Sequence, residues 1–258
     1  MLKRWAFGLV ILIIILGVIF ITLDILDIGE NFRLVLPINI LNAVFILVIA
    51  IFVAYMSTKS FTITGLPEIL CLGCAVLVFG VGNLFRGWID FSGNTVITVE
   101  DSTAFIASAT HLIGLSIASV KRPVLSIEIK RRLVIVISCY IGILAAVALI
   151  TFLAVRDITP LFMISGEGTT AISYIIRTIA ALFFLVSSLV SFRIYIKSHK
   201  DFYYWYSLGL MLLTLGVIFI SQGAAETRIA WLGRASIYLG GIYFLYVVFE
   251  ASRISKAY

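Results

Sequence analysis

The fold class this sequence predicts is all-α, a polytopic helical bundle in a membrane, and three observations predict it. The first is composition. Of 258 residues, 62% are hydrophobic and only 12% are charged, too few polar groups to coat a soluble domain. The second is segment length. Eight apolar runs reach the roughly 18–20 residues that a helix needs to cross the hydrocarbon core at about 1.5 Å per residue; they cover approximately 5–23, 37–57, 67–86, 103–120, 132–154, 171–192, 203–222 and 231–250. The third is charge asymmetry. If the N-terminus is cytoplasmic, all seven lysines fall on the inner side with Arg4, Arg122, Arg131, Arg132, Arg193 and Arg253. The other side receives only Arg33, Arg86, Arg156, Arg177, Arg228 and Arg234. This is the bias of the positive-inside rule, and it predicts a cell-membrane protein with both termini cytoplasmic.

The first span, WAFGLVILIIILGVIFITL, is apolar all round and reads as a lipid-facing anchor. Lys3 and Arg4 precede it as in a signal peptide, but it is too long and has no small-residue cleavage site. The chain therefore divides into an anchor helix and outer loop (1–34), a seven-helix bundle (35–252) and a cytoplasmic stub (253–258). Glycines recur every seven residues in the third span (Gly73, Gly80, Gly87), the seventh (Gly209, Gly216, Gly223) and the eighth (Gly233, Gly240). Such spacing keeps small residues on one face, where backbones approach closely. The fourth span carries a comparable stripe of Ala104, Ala107, Ser108, His111, Gly114 and Ala118. Between the fourth and fifth spans, KRPVLSIEIKRR reads as a topological anchor at the inner face, with specific recognition of anionic lipid as the alternative. FYYWY at 202–206 reads as an interfacial aromatic belt.

Polar groups inside a bilayer must be paired or face water. Asn39 and Asn42 open the second span, Asn83 and Arg86 lie near the outer end of the third, and His111 is on the fourth. Ser173 and Arg177 follow on the sixth, Gln222 ends the seventh, and Arg234 opens the eighth with Tyr238 a turn below. The orientation puts all ten at the outer side, which predicts one ligand-binding pocket open to the outside, with guanidinium groups suited to a small anion. Headgroup contact or pairing with Glu167, Asp90 or Glu226 is the structural alternative for the arginines, and a helix–helix hydrogen bond is that for His111. SGEGTT at 165–170 reads as a turn and cap before the sixth span, or as added anion-binding amides.

Other chemistries find little support. No lysine lies within a span to carry retinal, and the second histidine, His199, is on the opposite side from His111, so bis-histidine haem is disfavoured. There is no HExxH, no Walker A sequence and no Ser/His/Asp arrangement, and GVG at 80–82 has neither the third glycine nor the strand of a nucleotide fingerprint. Catalytic residues, metal ligands and cofactors are therefore not expected, and neither is a nucleic-acid partner. Cys71, Cys74 and Cys139 lie within spans and read as small packing residues. Asp24, Asp27, Glu68 and Glu250 sit near span ends, which argues against an ion pump.

The stretches HKDFYYWYSLGLMLLTLG and WLGRASIYLGGIYFLYVVFEASR resemble the end of the multi-helix membrane sensor regions that precede PAS and histidine-kinase modules in archaea and bacteria. GLPEILCLGCAVLVFGVGNLFRGWI and NTVITVEDSTAFIASATHLIGL are similar to their earlier part, so the resemblance covers about residues 38 to 253. It implies a sensor among membrane lipids, in some cases a homodimer, whose last helix passes a signal to a cytoplasmic domain or partner protein. It carries over no ligand. A small-molecule or lipid transporter is the rival expectation, although no repeat or mid-span proline supports it.

Overall fold

The computed structural model describes residues 8, 11, 14–19, 21, 22, 25, 35–88, 92–120, 128–166, 168–222 and 227–255. Lys3, Arg4, Arg33, Asp90, Lys121, Arg122, Glu167, Glu226 and Lys256 lie outside them, as do the side chains of Arg86 and Gly87's neighbours. The described chain is almost wholly helical. α1 (Val35–Asn42) runs through a π-helical turn, Ala43–Val48, into α2 (Ile49–Thr64). There follow α3 (Pro67–Trp88), α4 (Gly93–Val120), α5 (Ile129–Val155), a short hairpin of β1 (Met163–Ile164) and β2 (Gly168–Thr169), α6 (Ala171–Ser198), α7 (Asp201–Gln222) and α8 (Arg228–Ser255). Seven of the described helical segments are long and apolar enough to cross a membrane, which is consistent with a multi-pass membrane protein. The expected first span is described only in pieces. There Leu16 is buried against Leu212, Leu215, Leu232 and Leu239, and Gly8 lies against Tyr204 and Leu208.

The turns are set by local chemistry. α2 ends where Gly65 takes the left-handed conformation (φ 68°) and its N–H bonds Phe61 O at 2.7 Å; glycine adopts this without a Cβ clash. Pro67 then starts α3, where its missing N–H costs nothing. His199 (φ 58°) ends α6 in the same way, with its N–H on Tyr195 O at 2.8 Å. At this end of the molecule Arg132 also donates to Thr62 O (3.1 Å) and Ile63 O (2.8 Å), capping α2 from the first turn of α5. We call it the basic end. At the other, hairpin end, Asn94 Oδ1 accepts from the N–H groups of Phe162 (2.8 Å) and Met163 (3.1 Å) and ties the hairpin to α4. The 165–170 loop is thus a hairpin turn, with Gly166 and Gly168 at positive φ and the Thr170 hydroxyl donating to Leu161 O at 2.7 Å.

Packing runs α2–α3–α4–α6–α7–α8 and back to α2, closing a ring of six helices with the tightest contact between α7 and α8. α5 lies outside the ring against α2, α3 and α4, so it is peripheral where a seven-helix core was expected. The apolar gradient explains this. α5 has the highest mean hydropathy, 2.9, with 11% of its apolar stretch buried, whereas α3 has 1.8 with 67% buried. Where lipid is the solvent, the most apolar helix has least to gain from the interior, and small and polar residues mediate packing. Gly216 and Gly233 do so between α7 and α8: a Cβ on Gly233 would lie 2.9 Å from Gly216 O, and one on Gly216 would lie 3.0 Å from Gly233 O. A Cβ on Gly240 would lie 3.3 Å from Gly209 O, so the two glycine stripes face each other at close backbone approach. The stripe on α4 is buried from Ala104 to Ala118.

Two expectations need correction here. FYYWY is not an interfacial belt: Phe202, Tyr203, Tyr204 and Tyr206 are buried, because the start of α7 is enclosed by α6, α8 and Gly8. Only Trp205 is half-buried, stacked on Tyr246 with ring centroids 5.2 Å apart. The fourth span also begins ten residues earlier than hydropathy indicates, at Gly93. That extra length brings two acidic residues into the helix.

Candidate functional site

The site is best built from Asp101. Its carboxylate is eight residues below Gly93 (101 − 93), about 12 Å down α4 by helical rise, and is buried. A buried carboxylate must be paired, and α6 supplies the partners at i and i+4. Arg177 Nε donates to Asp101 Oδ1 at 2.6 Å, and the Ser173 hydroxyl donates to Oδ2 at 2.5 Å. Arg177 and Asp101 side chains retain only 10% and 4% of their exposure, so water screens the pair little. On the facing helix, Asn83 Nδ2 donates to Phe79 O one turn back at 2.8 Å, which fixes its orientation.

These groups surround a cavity of about 50 Å³ lined by Phe79, Asn83, Glu100, Asp101, Ala104, Arg177, Val217, Ile220 and Ile237. Its polar wall comes from α3, α4 and α6 and its apolar wall from α7 and α8. Asn83, Ser173 and Arg177 are thus brought together as expected. Asp101 and Glu100 were missed, because a hydropathy window places GNTVITVED in a loop. The signal that could have found them is Arg177 itself: a guanidinium this deep in a span needs an anion, and Asp101 is the carboxylate at matching depth. The placement of Asp101 also removes the argument that every acidic residue sits near a span end, and Glu68 is buried as well, accepting from the Tyr203 hydroxyl at 2.9 Å.

The remaining expected residues lie elsewhere. Asn42 Oδ1 accepts from the Tyr238 hydroxyl at 2.7 Å, a cross-link between α1 and α8; Asn39 is buried nearby on α1. Arg234 is buried with its guanidinium carbon 5.2 Å from the Trp231 ring centre, and it lines neither cavity. Gln222 is exposed at the end of α7. The side chain of Arg86 is outside the described residues.

His111 is the main correction. It lies 18 residues below Gly93 (111 − 93), about 27 Å along α4, and not with the arginines at the outer side. It is fully buried at the centre of the ring, with Nδ1 2.7 Å from the Tyr206 hydroxyl oxygen. A second cavity, of about 20 Å³, lies beside it. Phe79 and Ile237 line both cavities. Among the described residues no group of three or more His, Cys, Asp or Glu could hold a metal ion, and all three cysteines are free thiols. No family model matches the chain, and no curated protein or solved structure is significantly similar to it.

Proposed function

We propose that this chain is a membrane receptor that binds a small polar molecule in the Arg177–Asp101 cavity and transmits its occupancy through α8. The observation that carries the reading is the wall composition: an occupant held by the polar groups of α3, α4 and α6 touches Ile237 of α8 directly. α8 rests on α7 along facing glycines, where small side chains leave a smooth contact surface. A signal requires the ligand to bind two packings of α8 with different affinity. The excess of lysine and arginine at the basic end supports an orientation with that end in the cytoplasm and the cavity towards the outside of the cell. The resemblance to sensor regions before PAS and histidine-kinase modules supports an output beyond the last helix, in a signalling domain or partner protein.

The ligand class follows from charge. The cavity presents the Asp101 carboxylate and the Arg177 guanidinium, which donates to it. A zwitterion complements that pair better than the small anion expected from the arginines alone. The test is a thermal-shift panel in nanodiscs with amines, zwitterions, carboxylates, phosphates and lipids. A ligand at about 100 times its Kd adds roughly 2.7 kcal/mol of apparent stability. A zwitterion is expected to stabilise the wild type and to lose that effect in Asp101→Asn. Stabilisation by carboxylates alone, lost in Arg177→Ala, restores the anion; no difference for any compound removes the cavity from the function.

Asp101 also favours a second reading, a transporter, since an ionisable residue inside a membrane helix marks substrate and proton pathways as well. Saturable uptake of the stabilising compound into proteoliposomes identifies a transporter; binding without uptake identifies a receptor.

A further inference from the structure

The centre of the helix ring holds a second, chemically different site. The His111 ring is stacked on Phe244, with centroids 5.6 Å apart and planes 16° apart, and meets Phe184 and Tyr206 at 5.9 and 5.5 Å. Tyr206 occupies Nδ1 at 2.7 Å. Nε2 is buried and has no hydrogen-bond partner among the described residues. A native interior rarely leaves such an atom without a partner. The about 20 Å³ cavity beside it is lined by His111 and otherwise by apolar side chains and one glycine, including Phe45, Ile49, Val76 and Leu213.

That space is sufficient for a water-sized group, but a buried water needs about two to four polar partners, and these side chains offer one. No charged side chain lines the space, so an ion would be desolvated without compensation. The geometry points to a ligand site for a small uncharged molecule with a single hydrogen-bonding atom, of the short-chain alcohol class. Its polar atom takes His111 Nε2 and its apolar part lies among the rings of Phe45, Phe79 and Phe244. The site is formed partly by the π-helical turn, a distortion frequent at functional sites. There Phe45 and Ile46 approach α8 so closely that a Cβ on Gly241 would lie 2.8 Å from Phe45 O. The site does not depend on a ligand at Arg177.

The experiment is solution NMR of the full chain in nanodiscs with ¹⁵N-imidazole histidine. The His199→Asn background leaves His111 as the single signal, and asparagine tolerates the left-handed conformation at that position. Titration with methanol, the smallest member of that class, is expected to shift the Nε2 resonance saturably. Val76→Leu adds one methylene to the cavity and is expected to raise the half-saturating concentration at least tenfold; Leu213→Phe fills the space from the opposite helix and is the second variant should the first fail to fold. A shift that grows linearly without saturating, a shift unchanged by a filled cavity, or a resonance already fixed by water and indifferent to methanol overturns the proposal.

Discussion

The sharpest consequence of the structure concerns the pair formed by Asp101 and Arg177. In Asp101→Ala the guanidinium stays buried with no anion, and the Ser173 hydroxyl loses its acceptor. Breaking one side of a buried ion pair costs about 3–5 kcal/mol, because the remaining charge is uncompensated. For a chain of this size each kcal/mol moves the midpoint by about 2–4 °C, so the loss is roughly 6–20 °C. Arg177→Leu leaves the carboxylate unpaired instead and belongs to the same range. The double variant removes both charges and is expected to be more stable than either single one, since apolar replacement of a whole buried pair is often neutral or better. Thermal unfolding in detergent, followed by tryptophan fluorescence, completes the cycle. Single losses that add within about 0.5 kcal/mol in the double variant would show that the two side chains do not interact, and the site as described would be wrong.

Three further outcomes follow from other contacts. Gly233→Ala puts a Cβ 2.9 Å from Gly216 O and 3.0 Å from Ile220 N, backbone atoms that cannot turn aside; it should cost about 1–3 kcal/mol by overpacking, and an unchanged midpoint contradicts the glycine contact. Tyr238→Phe strips the buried Asn42 Oδ1 of its donor, a loss of about 1–3 kcal/mol in the same assay; Asn42→Ala in that background should then add little. For orientation, in a cysteine-free background Ser165→Cys should react with an impermeant maleimide on intact cells and Lys197→Cys only after permeabilisation. The reverse pattern inverts the membrane topology.

What could be read from the sequence is what the bilayer imposes directly. Apolar length set the helices, and the seven-residue glycine spacing set the α7–α8 face, because both are one-dimensional patterns. Features that depend on a partner helix were not legible. Asp101 looks like a loop residue until Arg177 and Ser173 arrive from α6 to neutralise it, and the same omission put His111 at the outer side with the arginines. FYYWY has the composition of a membrane interface, and only packing by α6 and α8 turns it into core. The peripheral position of α5 was present in its unrelieved hydrophobicity, a property read only in the first span.

The central claim is that a ligand in the Arg177–Asp101 cavity moves α8. The most direct measurement is pulsed electron–electron resonance between spin labels at Ser252 on α8 and Thr62 on α2, in nanodiscs, with and without the compound that most stabilises the wild type. The account predicts a changed distance distribution at saturation, absent in Asp101→Asn. An identical distribution in the presence of saturating, verified binding would contradict it.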